Sequence, residues 1–117
     1  MYQPTHFRQS DESRIHDLIR NFPLAALVIS GENGPDADHL PLHLEIVVGG
    51  RIILHGHVAR ANPLWKRTES HGQVLVNFQG PDAYVSPAWY PGKQEHGRVV
   101  PTWNYAVVHA YGSLECS

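Results

Sequence analysis

One stretch, His55-Gly56-His57-Val58-Ala59-Arg60-Ala61-Asn62-Pro63-Leu64-Trp65, gathers the groups needed to hold a small anion. Arg60 carries a planar fork of donors that matches a phosphate or carboxylate. Asn62-Pro63 is a helix start, because Asn caps and Pro at the first helical position gives up an N–H that would go unpaired anyway. The N–H groups of Leu64 and Trp65 are then expected to point toward the anion, with the helix end adding partial positive charge. Gly56 admits a second backbone or a flat ring. The same spacing also fits an ordinary strand-to-helix corner with a solvated arginine.

Nine histidines raise the question of a metal. His55 and His57 lie at i and i+2, on one face of a strand, and His39 and His43 also share a face. A zinc site needs three or four ligands, and the nearest downstream carboxylate is Glu69, so no metal site is predicted. A haem pocket with an axial histidine is set aside with it. Ser86 lies in no nucleophile elbow, and no Ser, His and acid can be assembled from the sequence. His55 or His57 remains available as a proton donor beside a bound ligand.

These residues need elements to position them. Ile15, Leu18, Ile19 and Phe22 fall at i, i+3, i+4 and i+7, which predicts an amphipathic helix over residues 10–22 capped by Ser10 and stopped by Pro23. Leu24 to Ser30 is an apolar run of strand length, and Asn33-Gly34 is a hairpin signal. A return strand is predicted from Ala37 to Val48, with Leu40, Leu42 and Leu44 on its core face and Pro41 marking an edge or bulge. Gly49-Gly50 turns the chain into a strand from Arg51 to Val58, and a short helix follows from Pro63 to Ser70. Gln73 to Gly80 is the next strand, ended by a turn at Pro81-Asp82. Pro87 to Arg98 reads as a loop bearing Trp89-Tyr90, and Val99 to Glu115 as a long final strand.

With 117 residues, 42% hydrophobic and 17% charged, the chain is expected to form a single soluble domain. No apolar run is long enough to span a membrane. A lone cysteine, Cys116, forms no internal disulfide and makes a reducing cytoplasm the default. The net charge of −2 and the scattered Lys and Arg residues show no nucleic-acid footprint. Six or so strands joined mostly by hairpins argue for an antiparallel barrel. A domain this small cannot cover Ile53, Leu75 and the final strand from both sides, which predicts a second subunit.

Several blocks in order resemble one family: His39-Leu40-Pro41-Leu42, His57-Val58-Ala59-Arg60-Ala61-Asn62-Pro63-Leu64-Trp65, Phe78-Gln79-Gly80-Pro81, Tyr84-Val85-Ser86-Pro87, Trp89-Tyr90 and Val100-Pro101-Thr102-Trp103-Asn104-Tyr105. They are similar to the PaiB family, described as FMN-binding negative transcriptional regulators of protease synthesis and sporulation. The resemblance implies a mainly β fold, an antiparallel six-stranded split barrel with short flanking helices, binding FMN between the subunits of a homodimer. Residues 1–117 are then expected to be that single domain without the helical C-terminal portion that family members usually carry. On this resemblance His55, Gly56, His57 and Val58 run along the FMN, with Arg60 and Asn62 nearest its phosphate. Gln79, Thr102 and Asn104 supply further polar contacts, and Trp103 or Trp89 walls the ring or serves packing alone. A related flavin-dependent oxidoreductase, of the kind represented by pyridoxamine-phosphate oxidases and flavin reductases, is the alternative. Direct DNA binding is doubtful on the charge pattern.

Overall fold

The computed structural model describes residues 1–31, 33–67, 73–86 and 102–117. A 3-10 turn at Thr5–Phe7 leads to helix α1 (Glu12–Asn21) and strands β1 (Leu24–Gly31), β2 (Gly34–Pro41), β3 (His43–Ile46) and β4 (Ile52–His55). Short helix α2 (Leu64–Arg67) then precedes the long strands β5 (Val74–Val85) and β6 (Thr102–Gly112). The expected loop from Pro87 to Arg98, the start of the last strand at Val99, and the end of the second helix beyond Arg67 lie outside the described residues.

Helix α1 forms where the apolar spacing predicts, but its cap is Asp11 rather than Ser10. The Asp11 carboxylate accepts from the Ser13 N–H at 3.0 Å and from the Ser13 hydroxyl at 2.8 Å. Those bonds hold its pKa below the ordinary carboxylate value, since they favour the charged form. Ile19 is fully buried, with Ile15 and Leu18 packed beside it. Phe22, the fourth member of the expected stripe, is the C-cap and stays 39% exposed, because the helix has already ended before Pro23.

All strand pairs are antiparallel. One sheet has the order β2-β1-β5-β6, and β3 and β4 form a second, two-stranded sheet. Ala25, Leu27 and Ile29 of β1 alternate inward and meet Val74, Val76 and Phe78 of β5, as the period of two requires. At the sharp β3–β4 turn, Gly49 and Gly50 both adopt positive φ, 90° and 78°, which a side chain would oppose.

The segment expected as one strand from Ala37 to Val48 is divided at Leu42 between the two sheets. Pro41 has no N–H to continue the ladder, and the Leu42 N–H instead reaches the Pro23 carbonyl at 2.9 Å. Leu40, Leu42 and Leu44 remain buried on both sides of the switch, so the two sheets share one core. The expected turn at Pro81-Asp82 is likewise replaced: β5 runs on to Val85, absorbing Pro81 in a register shift between Gln79 and Asp82. Bulges of this kind are where proline fits within a strand.

The architecture is mainly β and antiparallel, with few helices, as expected. Among the described residues no hydrogen-bonded ladder joins the two-stranded sheet to the four-stranded one, so the six strands do not close into a barrel. The molecule is also long, 60 × 37 × 22 Å with a radius of gyration of 18.3 Å. A compact chain of this length would have roughly 13 Å. No described helix is long and apolar enough to cross a membrane.

Candidate functional site

The corner between β4 and α2 is held by side-chain hydrogen bonds. Asn62 caps α2, its Oδ1 accepting from the Leu64 N–H at 2.9 Å, while its Nδ2 donates to Asp38 Oδ1 on β2 at 3.0 Å. The Trp65 indole N–H donates to the Arg60 carbonyl at 2.8 Å, and the Asn62 N–H closes a turn onto the Ala59 carbonyl at 2.8 Å. Leu64 is buried in the core. The backbone around Arg60 is thus fixed from both sides.

This geometry corrects two expectations. The Leu64 N–H is not open to an anion, since Asn62 fills it, and the Asn62 amide is itself occupied at both ends. Positive charge at the corner comes from the exposed Arg60 side chain, which makes no ion pair among the described residues, and from Lys66, whose ammonium lies 5.3 Å from the Trp65 ring centroid. Val58 packs against the core from this loop.

Gly56 serves close packing within the chain. A Cβ there would stand 2.6 Å from Leu42 Cδ2, 3.0 Å from Leu40 Cδ1 and 3.3 Å from the Pro41 carbonyl oxygen. The absent side chain lets the segment leaving β4 lie against the point where β2 passes into β3.

Beside this contact opens a cleft of about 620 Å³. His55, Gly56 and His57 form one side, and Arg20, from the last turn of α1, and His43 reach it as well. Its apolar walls are Pro23, Pro41, Leu42 and Leu44. His43 and His55 are direct cross-strand partners, and His55 Nε2 meets Glu45 Oε2 in an ion-pair hydrogen bond. The bond to the carboxylate fixes the orientation of that imidazole. Among the described residues no three His, Cys, Asp or Glu side chains are placed to share a metal ion.

The remaining expected residues lie on the ribbon made by the far half of β5 and the start of β6. Thr102, Trp103 and Asn104 pair with Val85, Tyr84 and Ala83, and Gln79 pairs with Val107 just before the bulge. All four are exposed. The Trp103 indole N–H donates to Asp82 Oδ1 at 3.0 Å, and its ring lies 5.8 Å from the Tyr84 ring at 44°. Trp103 is nevertheless 58% exposed and Tyr105 65%. Ile53 on the two-stranded sheet is 42% exposed, leaving apolar surface on both sheets. Trp89 lies outside the described residues.

The ten expected contacts therefore fall into two sets. His55, Gly56 and His57 meet at the cleft with Val58, Arg60 and Asn62 following in the corner, whereas Thr102, Trp103 and Asn104 share the ribbon with Gln79 at its base. Leu64 of α2 and Leu54 of β4 reach the same core as Val74, Val76 and Phe78, but the expected contact residues themselves stay on separate elements. Sequence reasoning missed Arg20, Glu45 and Asp38. Arg20 resembled any basic residue at a helix C-terminus, while the other two act across 10 and 24 residues of sequence.

A family model described as "Putative FMN-binding domain" matches residues 1–117. The chain is 37% identical over 112 residues to the protease synthase and sporulation protein PAI 2 of Bacillus subtilis, covering 96% of this chain and 51% of that one. It is 34% identical over 131 residues to an uncharacterized protein of Saccharomyces cerevisiae, covering 97% and 77% respectively. An uncharacterized protein of Emericella nidulans is 33% identical over 140 residues, 97% of this chain and 56% of that one. The chain thus spans about half the length of the Bacillus protein.

Proposed function

Since this chain belongs to the PaiB family of FMN-binding-domain proteins, we propose that it binds FMN as a split-barrel homodimer with the flavin between subunits. The shared core under the two sheets supports the split barrel. What supports the dimer is that the expected contact residues fall in two sets on different elements, on a body longer than a compact chain. A second copy brings the two sets together. The corner of one subunit offers Arg60 to the phosphate and the His55 to Val58 segment to the ring. The other subunit brings Gln79, Thr102 and Asn104, with Trp103 as an apolar wall.

The residues fit the group. Arg60 has no competing carboxylate among the described residues, and its backbone is fixed in advance, which lowers the ordering cost of binding. Bound FMN would supply electron and hydride transfer, while this chain's residues bind, orient and shield it. A PaiB-like regulatory role then belongs to the flavin-loaded dimer rather than to a DNA-reading face, because the net charge is −2 and the basic residues are scattered.

The test is the visible spectrum of the concentrated protein before and after adding FMN, together with sedimentation of the flavin-loaded form. A monomer that leaves the flavin spectrum unchanged refutes the reading. Arg60→Ala is expected to weaken FMN by about 1.5–3 kcal/mol, the worth of a charged hydrogen bond.

The Glu45–His55 pair favours a second reading, a flavin-dependent oxidoreductase in which His55 moves a proton beside the ring. Stopped-flow mixing of the FMN-loaded protein with nicotinamide nucleotides decides it. An unchanged flavin spectrum with every donor leaves the regulator.

A further inference from the structure

We propose that Asp38 is a positioning residue for Arg60, so that the hold of this corner on a phosphate is set from β2, outside the corner itself. This rests on the flavin reading above and adds to it a residue that acts on the ligand only through Asn62.

Two side chains on one face of β2 carry it. Asp38 and Leu40 pair with the buried Leu27 and Ala25 of β1, which puts both on the inward side of the sheet. Leu40 Cδ1 lies against Gly56, where an added Cβ would stand 3.0 Å away, and Asp38 Oδ1 accepts from Asn62 Nδ2 at 3.0 Å. β2 therefore holds the segment leaving β4 at both of its ends. The two anchoring positions, alternate residues of one strand, are about 7 Å apart, whereas the chain from Gly56 to Asn62 could reach about 20 Å if extended. A segment anchored over a span so much shorter than its reach must arch outward. The bond from the Asn62 N–H to the Ala59 carbonyl closes that arch as a four-residue turn, and Arg60, exposed, takes its second position.

The other bond on this turn is local. Trp65 clasps the Arg60 carbonyl from five residues away and moves with the turn, while the Asp38 bond crosses 24 residues of sequence and ties the turn to the larger sheet. Without the carboxylate, the half-buried Asn62 amide loses its acceptor and the turn its fixed height above β2. The cost of ordering the guanidinium then falls on binding.

Asp38→Ala is titrated with FMN and, separately, with riboflavin, which lacks the phosphate. FMN is expected to weaken about fivefold, the equivalent of one hydrogen bond, and riboflavin by less than about twofold. Asp38→Asn should restore FMN binding to near wild type, since its amide oxygen accepts the same bond. In an Asn62→Ala background Asp38→Ala should add nothing, because the carboxylate acts through that amide. Exchange of the Asn62 and Leu64 N–H groups, followed by NMR without flavin, should quicken in Asp38→Ala and slow again in Asp38→Asn. Thermal melts confirm that each variant is folded, and Asp38→Ser, too short to reach Asn62, replaces Asp38→Ala should that variant fail to fold.

The proposal is overturned if folded Asp38→Ala binds FMN as well as wild type, if FMN and riboflavin weaken equally, if Asp38→Asn is as weak as Asp38→Ala, or if the two substitutions add. Failure of the flavin reading looks different: wild type leaves the FMN spectrum unchanged. The exchange rates alone then decide whether Asp38 fixes the turn, and unchanged rates overturn it.

Discussion

The β4–α2 corner and the β5–β6 ribbon each hold expected cofactor contacts, and they are built in opposite ways. The corner is short and irregular, and side chains lock it: Asn62 bonds in two directions, Trp65 clasps the Arg60 carbonyl, and Gly56 lies against Leu42. The ribbon is regular, with its ladder intact past the bulge, yet its large side chains Tyr84, Trp103 and Tyr105 stay exposed. A corner so constrained has its backbone ordered in advance. A ribbon with exposed aromatics gains most from being covered, because aromatic area contributes strongly to interfaces.

If that contrast is right, the largest effect belongs to the ribbon. Trp103→Ala should cost about 2–4 kcal/mol of dimer association, the range of a central aromatic anchor. Sedimentation equilibrium measures it, and an unshifted dimer constant would mean the ribbon is not the interface. Arg60→Ala comes next, acting on FMN affinity while leaving the dimer intact. Asn62→Ala sharpens the picture of the corner. Losing the cap and the Asp38 bond together should lower stability by about 1–2 kcal/mol in chemical denaturation. Because that loss disorders the Arg60 loop, FMN should weaken more than riboflavin, which has no phosphate; equal weakening would argue against Arg60 as the phosphate anchor.

The smallest effect lies outside both regions, at Asp11. Its pKa is lowered in the folded chain by the Ser13 bonds. The stabilisation is therefore fully present above the unfolded carboxylate pKa and disappears as pH falls through the folded value. Asp11→Asn should flatten that acid limb slightly in pH-dependent melts, while the FMN and dimer constants stay as they are.

Local signals made much of this legible in the sequence. The amphipathic spacing of Ile15, Leu18 and Ile19 located α1, the Asn62-Pro63 pair marked the start of α2, and Pro41 signalled a break in pairing. These depend on neighbouring residues and on backbone chemistry that each residue type carries with it. What stayed hidden depends on approach through space. Glu45 reaches His55 only because the hairpin register places them diagonally, and Asp38 reaches Asn62 only because the corner folds back toward β2. Pro81 reads as a stop, but the ladder with β6 carries β5 past it. Ser10 and Asp11 are equally good caps by type, and the local backbone chose the second.

Strand β2, at the margin of the larger sheet, carries Pro35, Asp36, Asp38 and Pro41 within eight residues. Prolines withhold donors and carboxylates repel a like-charged neighbour, so another chain finds little to zip onto there. Strand-to-strand pairing across that border is therefore disfavoured, and an added strand would meet less resistance at the β6 edge of the same sheet.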